Sequence, residues 1–337
     1  MEPTTILFLI VFGLLLVHYL SQVWISRNKV LPWDPEGTQG TEGTKGTEEG
    51  FEDSPTKATL ATESEIRWIE APELFDDFYS KVYDQLAQGS GRLQAELGLA
   101  LHAFTQGGTS IETMRVLDAG CGTGIVTAAL AKMNPAKVIA VDVSPAMLHR
   151  AKTTTLEQST LTQEQKDSIE YRQSDLLNPS ALAPGEVTNA IVFYFVTYYI
   201  HDVETLFRNL FVWTAPGGMI AVEVVNKYKF DPMLDSSAPW MGFSLQKYSK
   251  ERVTHSKVTF DKFEYEGKFD LIDPVAEFRE TFRFKDGSVR RQKHVFVMPS
   301  IEEIVKTAKT VGWEYKSYVD LTTIGFEYAY LLIFKHP

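Results

Sequence analysis

Between residues 114 and 225 the chain alternates short apolar blocks with amphipathic segments. Apolar runs at about 114–118, 137–142, 169–172, 189–196 and 218–225 read as buried strands. Helical segments at 125–133, 145–152 and 203–213 lie between them, and such alternation packs as a parallel sheet with helices on both faces. Beyond residue 227 the period drops to two. Ser256–Glu264, Lys268–Ile272, Ala276–Phe284 and Val289–Val297 alternate polar with apolar positions, and Lys285-Asp286-Gly287-Ser288 is a hairpin turn. An antiparallel insertion over 227–299 is therefore expected. A helix at 300–311 and strands at 314–319 and 327–334 close the chain.

The turn after the first core strand carries candidate chemistry. In Val116-Leu117-Asp118-Ala119-Gly120-Cys121-Gly122-Thr123-Gly124, the glycines leave no Cβ where the backbone must turn tightly and a ligand must approach. A dinucleotide fingerprint would place a small residue at position 125, where helix and strand pack closely, but Ile125 stands there. Asp118 precedes the first glycine by two residues, which suits a ligand bearing an ammonium or sulfonium better than one bearing phosphates. At the end of the next strand Asp142 can accept both hydroxyls of a ribose. Together the two acids bracket a nucleoside.

On these residues the chain resembles the class I S-adenosylmethionine-dependent methyltransferases. Val116–Gly124 is similar to their first motif, and Val141-Asp142-Val143-Ser144-Pro145-Ala146-Met147-Leu148 to their second strand and following helix. Ser174-Asp175-Leu176 matches the segment whose acid binds the adenine amine. Asn189–Ile200 matches the fourth strand, with Asn189 where the family usually has Asp. Trp213–Ile220 matches the turn before the fifth, in which Pro216-Gly217-Gly218 is structural. The resemblance implies a Rossmann-like, mostly parallel seven-stranded sheet over residues 65–337. It also implies S-adenosylmethionine as methyl donor, S-adenosylhomocysteine as product and no metal. The residues it assigns to the donor are Asp118, Gly120, Gly122, Gly124, Asp142, Val143, Met147, Asp175, Leu176, Tyr194 and Phe195. Pro72–Asp84 resembles the family's N-terminal lid, in which Tyr83 either closes over the cofactor or packs at the surface.

The 227–299 insertion resembles the cap of small-molecule methyltransferases, including glycine and aminosugar N-methyltransferases. Its basic residues Arg279, Arg283, Arg290, Arg291, Lys293 and His294 either meet an acidic substrate or headgroup, or sit on a solvated strand face. Tyr194–Asp202, at the exit of the fourth strand, is where acceptor contacts belong. There His201 has an unperturbed pKa suited to removing a proton, unless it caps the next helix, and Tyr199 can hold the acceptor or shield the sulfonium.

Thr5–Ile25 contains no Asp, Glu, Lys or Arg, long enough for a helix to cross a bilayer, and predicts a transmembrane anchor over residues 1–26. A cleaved signal peptide would carry a basic first region, but Glu2 stands there. Arg27 and Lys29 just after the span place the C-terminal bulk in the cytosol. Residues 27–64 read as a flexible tether built on a degenerate Gly-Thr repeat. The net charge of −11 and the absence of a basic patch argue against nucleic acid. A single cysteine, Cys121, excludes an intrachain disulfide. The sequence thus points to a membrane-tethered, cytosol-facing N- or O-methyltransferase for a small-molecule or lipid acceptor. A protein side-chain methyltransferase and a non-catalytic S-adenosylmethionine sensor or scaffold are the alternatives.

Overall fold

The computed structural model describes residues 67–87, 90–232 and 252–337. The expected anchor (1–26) and tether (27–64) lie outside the described residues, as does 233–251 of the insertion. Among the described residues no helix is long and apolar enough to cross a membrane.

Trp68–Glu70 (β1) opens the fold, followed by the helices Asp77–Ala87 (α1) and Ser90–Gln106 (α2). The core then runs through Arg115–Ala119 (β2), Ile125–Lys132 (α3), Lys137–Asp142 (β3), Pro145–Arg150 (α4), Gln163–Asp167 (α5) and Ile169–Gln173 (β4). It continues with Val187–Val192 (β5), Val196–Tyr199 (α6), Val203–Trp213 (α7) and Thr214–Val225 (β6). Next come the insertion strands His255–Thr259 (β7), Phe263–Ile272 (β8), Val275–Phe284 (β9) and Val289–Val297 (β10). Ile301–Val311 (α8), Glu314–Asp320 (β11) and Ala329–Lys335 (β12) end the chain.

Seven strands form one sheet in the order β11-β12-β6-β5-β2-β3-β4, parallel from β6 to β4, with β12 and β11 added antiparallel. Its central strands are covered on both faces, which is why Val116, Leu117, Val138, Ile139, Ala190, Ile191, Ala221 and Val222 are all fully buried. The strand order reverses beside β2, and crevices at such a reversal, beyond the carboxyl ends of the strands, are where α/β sheets bind ligands. Helix ends are set by local chemistry. The Asp202 carboxylate accepts the Thr205 N–H (2.9 Å) to start α7, and Ser300 with Glu303 forms a reciprocal capping box on α8.

The expected insertion is a second sheet, ordered β1-β10-β9-β8-β7. Its first member was not anticipated: β1 pairs parallel with β10, and three residues are too short to carry a period. The expected strand 256–264 is two strands, β7 and β8, because the chain turns at Phe260 and pairs back with its N–H on the Phe263 carbonyl (2.9 Å). Two core boundaries also move. β6 begins at Thr214, and Pro216-Gly217-Gly218 bulges within it, so that Val187 faces Thr214 while Asn189 faces Met219. The expected strand 189–196 stops at Val192, since Tyr194 and Phe195 both take left-handed backbone angles (φ 59° and 65°) and α6 follows at once. Asn189 is buried in mid-strand, where its Oδ1 accepts the Thr188 hydroxyl (2.9 Å), and it does not line the cavity described below.

Tyr198 ties this reversal to the sheet. It is 1 % exposed, and its phenol oxygen accepts the Val225 N–H at the end of β6 (2.8 Å). Replacing Tyr198 by Phe strands that N–H in the core, which costs about 1–3 kcal/mol. Urea unfolding of Tyr198→Phe should show a lowered midpoint with an unchanged slope.

Candidate active site

The glycine turn is fastened to β3 before any ligand arrives. The N–H groups of Gly120 and Cys121 both donate to the Val141 carbonyl (2.8 and 3.0 Å). Gly120 and Gly122 have φ of 75° and 53°, the left-handed region that disfavours a side chain. A Cβ on Gly120 would lie 2.5 Å from Val196, whereas one on Gly122 would project into open space, filling the floor of the cradle. The Gly122 N–H donates to one Asp142 oxygen and the Ser144 N–H to the other (2.8 Å each). The acid at the end of β3 is thereby held in one orientation. Burial raises its pKa above the usual range, opposed by the N–H groups of Ser144 and Gly122.

A cavity of about 530 Å³ opens above the carboxyl ends of the parallel strands. Gly120, Gly122, Asp142, Val143, Met147, Asp175 and Leu176 line it from the core loops, with Tyr83, Tyr194 and Phe195 alongside. Phe278, Glu280, His294 and Phe296 enter from the cap sheet, Phe75 from the segment leading into α1 and Tyr79 from α1 itself. This lining fits a sulfonium nucleoside. It offers an oriented carboxylate for vicinal hydroxyls, the Asp175 carboxylate fixed by the Leu177 N–H (2.8 Å), an uncrowded glycine and apolar walls. Arg92, the only lysine or arginine along it among the described residues, lies over the rings of Tyr194 and Phe326 (5.2 and 4.3 Å), so nothing there is set out for a pyrophosphate.

Two residues expected to touch the ligand do not line the cavity. Asp118 is 3 % exposed and absent from the cavity wall; its carboxylate turns inward to accept the Thr127 hydroxyl (2.6 Å). Burial pushes its pKa up to about 6, and its hydrogen bond from Thr127 pins α3 to β2. Gly124 also lies behind the wall, at the start of α3 with φ 79°, where a Cβ would meet that of Ala151 at 2.9 Å. The remaining expected residues all reach the cavity.

The Tyr194-Phe195 turn is held from behind by an acid pair. Glu223 accepts the Tyr194 N–H (2.6 Å) and is itself 2 % exposed beside Glu96, which is wholly buried. Burial raises both carboxyls, and the like charge of Glu223 raises Glu96 well above the usual range, while the Arg92 charge opposes both shifts. Without this anchor, two consecutive left-handed residues would cost of the order of 1–3 kcal/mol each.

The acceptor end differs most from expectation. His201 is exposed at the cavity rim, and Asp202 rather than His201 caps α7. Tyr199 is half-buried, and its hydroxyl meets His294 Nδ1. His294 Nε2 lies 2.6 Å from Glu280, which also accepts from Gln292 (2.6 Å) and Tyr265 (2.7 Å). Tyr79 reaches the same His294 nitrogen at 3.4 Å. Burial alone would raise the Glu280 pKa, but His294, Tyr265 and Gln292 outweigh it and hold the group below the usual range. Glu280 and Tyr79 escaped the sequence reading as site residues, and His294 entered it only as one of the basic residues of the cap. The one available signal was strand alternation, which puts Glu280, Gln292 and His294 on the same faces as Ala276, Phe282 and Phe296.

The expected basic side of the cap is correspondingly spent inside the fold. Arg279 pairs with Asp270 (2.7 Å) and Glu277, Arg283 with Glu266 (2.7 Å), Arg290 with Asp76 (2.7 Å), and Lys293 with Glu70 (3.1 Å). Arg291 lies over the Trp68 ring. These cations join strands to one another and to the residue just before α1 rather than awaiting an anion.

A parallel sheet reversing beside β2, a glycine cradle and a fixed ribose-type acid define a class I S-adenosylmethionine-dependent methyltransferase fold. A family model for the methyltransferase domain matches residues 91–314, and the chain belongs to that family. Among solved structures, an S-adenosylmethionine-dependent methyltransferase from Clostridium acetobutylicum ATCC 824 superposes with a TM-score of 0.57 at 18 % identity, covering 77 % of this chain and 98 % of its own. Curated relatives include a trans-aconitate 2-methyltransferase of Azoarcus sp. (strain BH72), 31 % identical over 130 residues, 37 % of this chain and 46 % of the relative. A ubiquinone biosynthesis O-methyltransferase of Xanthomonas campestris pv. campestris (strain B100) is 27 % identical over 113 residues, 34 % of this chain and 44 % of the relative. The chain thus matches under half the length of either relative.

Because Asp118 is raised from 3.8 to about 6, keeping it ionised weakens the fold as pH climbs through that interval. Asp118→Asn keeps an acceptor for Thr127 and removes that burden. Thermal melts should show the variant more stable by up to about 3 kcal/mol at pH 8 and by roughly half that at pH 5.

Proposed function

We propose that this protein transfers a methyl group from S-adenosylmethionine to an oxygen or nitrogen of a small-molecule acceptor. The observation that carries the reading is Asp142, whose two oxygens are oriented by the N–H groups of Gly122 and Ser144 at the edge of an open glycine cradle. The donor supplies an electrophilic methyl on a sulfonium. Asp142 would hold the donor's ribose hydroxyls, Gly120 and Gly122 would let its chain pass close to the backbone, and Asp175 would meet its base. Val143, Met147 and Leu176 would wall the adenine. Tyr83, Tyr194 and Phe195 line the same cavity with rings, and holding donor and acceptor in line would supply much of the rate.

A small acceptor is favoured over a protein chain because cap strands, α1 and α6 wall the acceptor end with aromatic side chains. The curated relatives named for trans-aconitate and ubiquinone biosynthesis point the same way. The apolar run Thr5–Ile25, with Arg27 and Lys29 after it, supports a cytosol-facing domain tethered to a membrane.

Calorimetry on the full chain should show S-adenosylhomocysteine binding that Asp142→Ala weakens by about tenfold to a hundredfold, as expected for losing a charge-assisted hydrogen-bond pair. Absence of heat with the wild-type protein would remove the donor reading. Carbonate extraction of membranes from cells expressing the full chain should leave it in the pellet. Release into the supernatant would remove the tether.

A further inference from the structure

The acceptor end holds a buried chain of proton-bearing groups that methyl-donor binding does not require. His294 is 3 % exposed and Glu280 1 % exposed, yet both reach the cavity wall, as does Tyr199. With Glu280 ionised and accepting from His294 Nε2 (2.6 Å), the imidazole carries its proton on Nε2. Nδ1 is then left to accept the Tyr199 hydroxyl, and the phenol lone pairs turn to the cavity. A nucleophile-side hydroxyl, an imidazole and a buried carboxylate in series are the arrangement by which hydrolytic triads move a proton.

The groups around His294 set this polarity from every side. Glu280 comes from β9, Tyr79 from α1 and Tyr199 from α6, while Tyr265 of β8 and Gln292 of β10 also donate to Glu280. Phe75, Phe278 and Phe296 fill the rest of the shell with rings. No lysine or arginine contacts the imidazole among the described partners, so the positive charge it gains on protonation is met by Glu280 alone. Phe75, Phe230, Phe269, Phe278 and Phe296 supply the adjoining cavity wall, and ring faces of this kind suit a flat apolar molecule better than a polyhydroxylated one.

We propose that Tyr199, His294 and Glu280 are a proton relay for an acceptor hydroxyl, and that the acceptor belongs to the phenol class; this rests on the methyl-transfer reading above. As the acceptor oxygen attacks, an O–C bond forms and the S–C bond of the donor breaks, its electron pair returning to sulfur. The acceptor proton passes to the Tyr199 oxygen while the Tyr199 proton passes to His294 Nδ1. The resulting imidazolium is neutralised by Glu280 and later yields its proton to solvent. Tyr199 is the catalytic residue, and His294 and Glu280 act through it.

The test uses 7-hydroxycoumarin, whose neutral and ionised forms absorb at different wavelengths, titrated against the full chain saturated with S-adenosylhomocysteine. The bound probe should ionise at least about one pH unit below its value in buffer, a tenfold preference for the phenolate. Tyr199→Phe and His294→Gln should each abolish the shift while S-adenosylhomocysteine affinity stays within about twofold, and Glu280→Gln, which keeps a hydrogen-bonding side chain without the charge, should diminish it. With labelled donor, methylation of the probe by His294→Gln should fall about 10²- to 10⁴-fold. A probe that binds with unshifted ionisation, a shift that survives His294→Gln, or failure to bind a protein that does bind S-adenosylhomocysteine each overturns the relay. Failure to bind S-adenosylhomocysteine itself overturns the donor reading and the relay with it.

Discussion

The Glu223 carboxylate, accepting the Tyr194 N–H from the end of β6, is the contact on which the site depends. It allows β5 to end in two left-handed residues and to launch α6 directly over the sheet edge. Val196 then occupies the space that a Cβ on Gly120 would need, so the glycine cradle and this reversal are fitted to each other. The same turn points Tyr194 and Phe195 into the cavity, and one helical turn later brings Tyr199 to His294. A single buried acid thus sets the relation between the donor end and the acceptor end.

The two ends use buried carboxyls in opposite ways. Asp118, Glu96 and Glu223 lie behind the cavity wall or in the core, where burial raises them. Glu280 is as deeply buried but surrounded by donors, and it is held low. Within the first group, Asp118 and Glu223 brace elements by accepting the Thr127 hydroxyl and the Tyr194 N–H. Glu280 keeps its charge and can support a neighbouring cation.

The core was legible in the sequence because parallel strands buried on both faces are continuous apolar runs, and the observed β3 and α7 carry the expected bounds. Asp142 and Asp175 reach the cavity as expected, Asp142 because it ends β3 and Asp175 because it follows the end of β4 by two residues. Asp118 misled. Its position before the glycines says that it is near the ligand, but a strand also alternates, and its side chain falls on the face that meets Thr127. The relay was hidden for a different reason. Tyr199 and His294 are 95 residues apart and meet only through tertiary packing. Within β10, His294 follows four other polar or cationic residues, and only the cross-strand pairing of Gln292 with Glu280 shows which face carries the buried polar network.

The position of β1 gives the cap a mechanical role. Trp68–Glu70 is the first described element, and it joins the edge of the cap sheet rather than the core. Its register sets Glu70 against Lys293, with which it forms an ion pair (3.1 Å), one residue before His294. Tension arriving along the chain from before residue 67 would therefore load the strand that carries His294 ahead of the strands that carry Asp142.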